Sequence, residues 1–322
     1  MAILVTGGAG FIGSNLTEKL LTMGLRTICL DNFSDFYDPN IKRANISVFL
    51  GQPHFRLVEG DIRDKDVLEA LFEGEHIETV IHLAALPGVR NSIRNPMIYE
   101  DVNVRGTINM LDICARHKVG KFVFGSSSSI YGLSKVPFKE NEDNSRPVSP
   151  YAASKKAAEL FCHTFSHLYN LPVCCLRFFT VYGPRQRPEM AIHRFTRHIS
   201  EGIPIPVYGD GTTKRDYTYI SDIVDGILSV LDAEFDFEIF NLGNSECVEL
   251  RQLISLIEGS LGKKAITEQF ADQPGDVPVT YASIAKSAEL LGYRPRINIA
   301  EGIQKFVAWY KEGNSAREAY HG

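Results

Sequence analysis

The chain predicts a doubly wound α/β fold: a mostly parallel sheet with helices on both faces, followed by a smaller C-terminal lobe. Two observations carry this. Through the first half of the 322 residues, short and almost wholly apolar β-type runs alternate with longer amphipathic stretches. Strands that are apolar on both sides belong to parallel sheets covered on both faces. After about Thr180 the alternation stops, and prolines and glycines cluster at Gly183-Pro184, over 202–206 and over 209–211. That break marks an irregular second region.

Taken in order, the predicted strands cover residues 3–6, 27–30, 55–58, 79–83, 121–125 and 173–178. Helical patterns between them cover 11–23, 66–72, 102–117 and 151–169, and a helix over 220–231 with a strand over 238–242 returns to the sheet. In such a fold the ligand lies at the carboxyl ends of the strands.

Composition narrows the function classes. Apolar residues are 44% and charged residues 23%, ordinary for a globular chain, which excludes disordered and collagen-like classes. The net charge of −5 argues against nucleic acid or an anionic membrane as partner, because both need a basic footprint. A small anionic ligand stays possible, since a few arginines in one cleft override the net sign. No apolar run of about 18 residues exists to span a membrane. A strand-like run at residues 2–5 leaves no room for a secretory signal. Cys29, Cys114, Cys162, Cys174, Cys175 and Cys247 show no Cys-x-x-Cys spacing. They read as reduced, mostly buried thiols of a cytoplasmic protein.

Thr6-Gly7-Gly8-Ala9-Gly10-Phe11-Ile12-Gly13 joins the first strand to the first helix. Gly7 and Gly10 allow a tight turn and let a pyrophosphate approach the N–H groups of the helix start. Gly13 lets the helix pack closely on the sheet. A glycine triplet alone is a weak signal, but here a strand precedes it, a helix follows, and Asp31 ends the second strand. A carboxylate there accepts from an adenosine ribose diol and repels a 2′-phosphate, which favours NAD over NADP. The reading is a Rossmann-type site. Asn32 follows Asp31, Asp61-Ile62 ends the third strand, and Leu83-Ala84-Ala85 ends the fourth, so successive strand ends line one groove. On this basis residues 1–179 plus about 220–243 form a dinucleotide-binding domain, and about 180–219 with 244–322 form the substrate lobe.

The reactive end lies in Ser149-Pro150-Tyr151-Ala152-Ala153-Ser154-Lys155. Ser149 suits an N-cap and Pro150 a first helical position. Tyr151 and Lys155 then share one helix face, with Tyr151 in the first turn. The positive helix end and a nearby ammonium both lower a phenol's pKa, which makes Tyr151 a general base. Gly125-Ser126-Ser127-Ser128-Ser129 upstream supplies hydroxyl partners for a substrate alcohol. Tyr-x-x-x-Lys by itself is usually a solvated helix face; the helix start and the hydroxyl run decide for chemistry.

With these motifs the chain resembles the extended short-chain dehydrogenase/reductase family almost end to end. The resemblance implies Ser127 as the hydroxyl that bonds the reacting oxygen, because Ile130-Tyr131-Gly132 follows it as the family's hydrophobic-Tyr-Gly motif does. It implies NAD contacts at Asn103 and near Phe179, and Arg215 in Lys214-Arg215-Asp216-Tyr217 as a nucleotide diphosphate ligand. Gly209-Asp210-Gly211 also fits the nucleotide-sugar branch. Within that branch several segments are similar to UDP-glucuronate 4-epimerases. They are Asp31-Asn32-Phe33 through Tyr37-Asp38-Pro39 with Lys42-Arg43, then residues 126–132, then Arg177-Phe178-Phe179-Thr180-Val181-Tyr182-Gly183-Pro184. Arg187-Pro188-Glu189-Met190-Ala191 and Gln273-Pro274-Gly275-Asp276-Val277 complete the set. Ser283 departs from the pattern, where the family carries aspartate.

The implied reaction is NAD-dependent 4-epimerisation of UDP-glucuronic acid to UDP-galacturonic acid through a transient 4-keto sugar. Ser128 and Ser129 stand where related dehydratases carry an acidic pair and decarboxylases a nearby glutamate. Neutral hydroxyls cannot take the C5 proton, but they can donate to a sugar carboxylate. Ser128, Ser129 and Thr180 are the expected carboxylate contacts. Arg187 and Arg194 are candidate phosphate ligands, Arg185 a weaker one, and Asp276 a further substrate contact. The alternatives are a UDP-glucose 4-epimerase, a UDP-glucuronate decarboxylase, and a non-catalytic dinucleotide-sensing protein, which would lack the Tyr151/Lys155 pair. A homodimer is expected from the resemblance and from the apolar surface of the helices over 102–117 and 151–169. His163 and His167, four apart, lack a metal motif and read as surface or packing residues; no metal site is expected.

Overall fold

A computed structural model describes residues 2–142, 144–271 and 276–321, with backbone alone over 314–321. Its centre is a seven-stranded sheet. The strands are β1 (Ala2–Thr6), β2 (Thr27–Asp31), β3 (Phe55–Glu59), β4 (Ile77–His82), β5 (Lys121–Ser127), β6 (Val173–Phe178) and a late strand, Phe237–Leu242. They lie in the order Phe237–Leu242, β6, β5, β4, β1, β2, β3, and every pairing is parallel. The chain winds outward from β1 to β3, then crosses back to lay β4 on the other side of β1. Neighbouring connections therefore leave the carboxyl ends of β1 and β4 in opposite directions, and a crevice opens between them.

Each predicted strand and helix forms, with ends shifted by a residue or two. Helix Lys65–Gly74 starts where the Asp64 carboxylate accepts from the Asp66 and Val67 amides at 3.0 and 3.2 Å. Helix Pro150–Tyr169 starts as its sequence requires: the Ser149 hydroxyl accepts from the Ala152 amide at 3.1 Å, and Pro150 takes the first position. It ends at Asn170, whose φ of 51° is the left-handed turn that asparagine tolerates. The stretch over 102–117 differs. A π-helical turn, Asp101–Arg105, precedes the α-helix Gly106–Arg116. The Thr107 hydroxyl occupies the Asn103 carbonyl at 2.6 Å at this widened turn.

Strand alternation divides the core between the two faces. Cys174 packs with Leu16, Leu20 and Ile227 on one face, and its neighbour Cys175 packs with Met110, Ala158 and Cys162 on the other. All six cysteines are free thiols. No helix among the described residues is long and apolar enough to cross a membrane.

Beyond β6 three short strand pairs form: Thr180–Tyr182 with Tyr217–Tyr219, Lys214–Arg215 with Val248–Glu249, and Ile205–Tyr208 with Thr267–Phe270. Asp216 knots this region together. Fully buried, its carboxylate accepts from the amides of Asn244, Ser245 and Ala282 at 2.7, 3.0 and 3.0 Å. Burial pushes it up to about 6 against the pull of those bonds.

His82 joins β4 to its neighbours at the crevice. Its Nδ1 lies 2.7 Å from the Thr6 hydroxyl and its Nε2 3.1 Å from the Thr107 hydroxyl. Thr107 already donates to Asn103, so it accepts from Nε2–H; Thr6 accepts from the Ala84 amide and donates to Nδ1. The ring is therefore a neutral tautomer with both nitrogens used. Burial holds it down to about 3. The unfolded chain binds a proton near pH 6.5 that the folded chain refuses, so stability falls as pH drops from about 6.5 toward 3. The slope for one full proton is about 1.4 kcal/mol per pH unit. Urea midpoints measured near pH 7 and near pH 5 should fall more steeply for the wild type than for His82→Phe, which has no proton to take up. Equal slopes would remove His82 as the source.

Candidate active site

The turn after β1 has no space for side chains where it meets β4. Gly7 adopts φ +67°, and a Cβ there would stand 2.8 Å from the Ala84 nitrogen; at Gly13 it would stand 2.2 Å from the Gly7 carbonyl oxygen. Helix Phe11–Thr22 thus begins directly against the crevice. Gly10 caps it without a side-chain bond, and its first turn carries no acidic residue. Free amides and the positive helix end make an anion cradle.

A cleft of about 630 Å³ runs from this turn across the strand ends. Gly7, Gly10, Phe11, Ile12 and Gly13 line it with Asp31, Asn32, Asp61 and Ile62 from the ends of β2 and β3. Leu83, Ala84 and Ala85 also line it, in the loop beyond β4 and not in the strand as predicted, because β4 ends at His82. Phe179, Ser127, Ser128, Ser129, Tyr151, Lys155, Thr180 and Arg187 complete the other half. The sequence-predicted groove and hydroxyl run thus share one cavity.

Electrostatics differ between the two ends. Asp31 is 6% exposed and accepts from the Ala9 and Phe33 amides at 3.1 and 2.9 Å. Burial pushes its carboxyl up, and the Lys42 ammonium draws it back. The Asp61 carboxylate is consumed by Arg63 at 2.7 Å and Asn32 at 2.8 Å, which hold it near 2. The carboxylates lining the cleft among the described residues are Asp31, Asp35 and Asp61; Asp31 ends β2, Asp35 follows it in the loop near Lys42, and Asp61 lies just beyond β3.

At the other end, Ser127 hydrogen-bonds Tyr151 and caps the turn Ser128–Tyr131 by accepting from the Ser129 amide at 3.1 Å. The Lys155 ammonium donates to the Gly125 carbonyl at 2.7 Å, and burial presses it down to about 8. The expected acidification of Tyr151 is not met in the protein itself. Burial raises the phenol, because desolvation penalises its charged form; the Ser127 bond and the Arg187 charge oppose that.

Several predicted residues stand elsewhere. Asn103 lies behind the cleft wall, 1% exposed, its amide side chain bonding the Leu86 N–H and carbonyl at 2.7 and 3.0 Å and Ser154 at 3.0 Å. It holds the wall and does not form it. Arg194, Arg215 and Asp276 are outside the cleft. Asp276 pairs with Arg90 at 2.8 Å, and Arg90 covers the Tyr208 ring at 4.5 Å, near Arg194. The Arg194 Nε is buried without a partner, and Arg215 reaches its own Lys214 carbonyl. Arg185 turns away to Glu18 and the Ser14 carbonyl. Ser283 engages Phe138 and Asn241 through its backbone, so its side-chain identity is not used there. Gln273, Pro274 and Gly275 lie outside the described residues. His163 sits edge-on to Phe237 at 5.0 Å, at the end of the sheet away from the cleft. Sequence reasoning missed Arg90, Arg63 and a role for Lys42; only long-range pairing reveals Arg90, whereas Arg63 stands two residues from the Asp61 it holds.

The chain belongs to the NAD dependent epimerase/dehydratase family, whose model matches residues 3–243. It is 43% identical over 310 residues to a UDP-glucuronate 4-epimerase of Thermodesulfobacterium geofontis, covering 96% of both chains. The Bacillus cereus UDP-glucuronic acid 4-epimerase, solved with UDP-glucuronic acid and NAD, superposes with a TM-score of 0.91 at 36% identity, covering 97% of this chain and 99% of that one. A UDP-glucose 4-epimerase of Thermotoga maritima, solved with UDP-glucose, superposes with a TM-score of 0.89 at 30% identity, covering 98% and 100%. Backbone likeness alone therefore does not separate the two sugar classes; the side chains at the reactive end must.

Proposed function

We propose that the protein is an isomerase, an NAD-dependent 4-epimerase that converts UDP-glucuronic acid to UDP-galacturonic acid. The observation that carries this reading is the makeup of the reactive end. Ser127, Ser128, Ser129 and Thr180 share the cleft with Tyr151, and among the described residues the lining carboxylates, Asp31, Asp35 and Asp61, come from the end of β2, the loop after it and the turn beyond β3, none from these hydroxyl segments. A wall of neutral hydroxyls accommodates a carboxylate and offers no base to C5.

The residues fit NAD. The glycine cradle leaves room for a pyrophosphate against the helix start, and Asp31 faces the cleft where an adenosine ribose diol would bond it. NAD held there would supply the acceptor, and then the donor, of a hydride at C4 of the sugar. Tyr151 Oη takes the C4 hydroxyl proton and gives it back, and Ser127 holds that oxygen by hydrogen bond. Lys155 supplies positive charge beneath the phenol once that proton moves. Rotation of the 4-keto sugar about its link to the diphosphate exposes the other face. The ketone is β to the C5 carboxylate, an arrangement that loses carbon dioxide, so bonds from Ser128, Ser129 and Thr180 that hold the carboxylate out of line protect the intermediate.

Residues 1–179 with about 220–243 would serve the dinucleotide, and about 180–219 with 244–322 the UDP-sugar. In that division Arg187 reaches into the cleft, Arg194, Arg215 and Asp276 serve the nucleotide end, and Asn103 positions the Leu86 wall. Six free thiols support a reducing, cytoplasmic setting. Helix Pro150–Tyr169 leaves Leu160, Phe161 and Leu168 exposed at 59, 37 and 61%, an apolar stripe that supports a homodimer. Light scattering should give twice the monomer mass at micromolar concentration; a monomer there would defeat the dimer.

The deciding experiment incubates the protein with UDP-glucuronate and, separately, UDP-glucose, and resolves the products by chromatography. Conversion of UDP-glucuronate is expected to dominate. Preference for UDP-glucose would favour the neutral-sugar reading, which the same hydroxyl wall could serve. Tyr151→Phe should abolish turnover while calorimetry still finds NAD bound; a variant keeping most of the rate would remove Tyr151 as the base. Thr180→Val should weaken activity on UDP-glucuronate by roughly tenfold more than on UDP-glucose, since a hydrogen bond to a charged acceptor is worth about 1.5–3 kcal/mol. It should also release some decarboxylated product. Equal losses on both substrates would sink the carboxylate pocket.

A further inference from the structure

Behind the hydroxyl run lies a buried charge pair that is no part of the acid–base chemistry. Glu159 follows Tyr151 and Lys155 at successive four-residue steps, so all three share one side of helix Pro150–Tyr169. Glu159 is 2% exposed and Arg177, on β6, is 0% exposed. Arg177 Nε and Nη2 donate to the two Glu159 oxygens at 2.9 and 2.8 Å, the planar fork on a carboxylate. Ser126 stands beside Arg177 in sheet register, and its hydroxyl donates to the same Glu159 oxygen at 2.6 Å. The outer end of the guanidinium, Nη1, donates to the Tyr131 hydroxyl at 2.8 Å, which donates to Asn241 Oδ1 at 2.7 Å. Lys156 adds a more distant charge, 3.6 Å from Glu159.

Such a pair is a weak stabiliser. Removing both charges from water offsets their attraction, and apolar side chains of the same volume often do as well. What apolar contacts lack is direction, and here the directions point at the site. Ser126 precedes Ser127. Tyr131 closes the turn that carries Ser128 and Ser129. Arg177 lies three residues before Thr180, and Glu159 lies two turns along the helix from Tyr151. Four segments that separately carry the hydroxyls and the phenol are tied at one carboxylate.

We propose that Glu159 and Arg177, through Ser126 and Tyr131, are positioning residues that hold Ser127, Ser128 and Ser129 in register with Tyr151. This rests on the reading of Tyr151 as the proton-transfer group. The pair touches no reacting atom; it acts by fixing the Ser127 hydroxyl where it bonds the phenol.

Three variants grade the test. Ser126→Ala removes one hydrogen bond and Tyr131→Phe removes two, and both keep the pair; Glu159→Gln removes the charge. With NAD and UDP-glucuronate, kcat should fall about tenfold for the first two and about 100-fold for the third, with KM within about twofold, since a misplacement near 1 Å costs on the order of 10²-fold. A second readout does not need turnover. Ultraviolet difference titration of each protein against its Tyr151→Phe counterpart reports the Tyr151 phenol, and Ser126→Ala and Glu159→Gln should both move it upward as the Ser127 bond loosens. A pair with a purely architectural role would lower the melting temperature and leave both kcat of the folded protein and the phenol titration at wild-type values, which overturns the proposal. If Glu159→Gln does not fold, Ser126→Ala and Tyr131→Phe decide alone. If the wild type epimerises no UDP-sugar, the functional reading fails, and the titration still separates a positioning pair, which moves it, from an architectural one, which does not.

Discussion

The cleft depends on how closely the turn after β1 approaches the chain beyond β4. At Gly7 the gap is narrower than a methyl group, and the limit is backbone, which cannot swing aside as a side chain can. That closeness sets the height of helix Phe11–Thr22 above the sheet and aims its unpaired amides into the crevice. It also brings Ala84 within reach of Thr6, and so builds the Thr6–His82–Thr107 chain that fixes β1, β4 and the π-helical turn in one register. The Asn103 clamp on Leu86 hangs from that turn. Anion cradle, cofactor wall and buried histidine are thus consequences of one close contact.

Across the cleft the fold separates charge by role. Acidic groups at the ends of β2 and β3 are hydrogen-bonded by backbone or by Arg63, so they are fixed in orientation before any ligand arrives. At the reactive end Glu159, two turns along the helix from Tyr151, is turned away into the core and neutralised by Arg177. Hydroxyls, tyrosines, cations and apolar side chains line that half of the cleft. In a low-dielectric site this arrangement matters, because a single misplaced carboxylate would repel an acidic sugar and serve as a base for an unwanted elimination.

Most of the fold was legible because local signals agreed with the global result. The apolar runs of β1, β2 and β4 to β6 are largely buried while β3, at the sheet edge, is half-exposed, and Ser149-Pro150 starts its helix by simple capping chemistry. The glycine turn, Asp31 and Tyr151/Lys155 were legible for the same reason: each is local in sequence and its meaning depends on what immediately precedes and follows. The bonds by which Asn103 holds the cleft wall were not legible, because its contacts, Leu86 and Ser154, lie 17 and 51 residues away. The direction in which the phenol shifts was not legible, because a spacing of four residues puts Lys155 on the right face but says nothing of burial, which acts on both groups at once. Arg177 appeared only as one letter of a motif, since its partner on the helix is 18 residues back and nothing local names it.

Asp216 has a consequence for how this architecture can vary. Its carboxylate gathers residues 244, 245 and 282, and its carbonyl accepts from the Thr180 amide at 3.0 Å. Segments a hundred residues apart along the chain therefore share one set of hydrogen bonds and stand or fall together. Exchange of these segments between relatives cannot proceed loop by loop, because any single one grafted alone would meet a carboxylate arranged for its former companions. The knot therefore varies as one unit, whereas the glycine turn and Asp31, anchored within the first sixth of the chain and its β4 contact, vary independently of it.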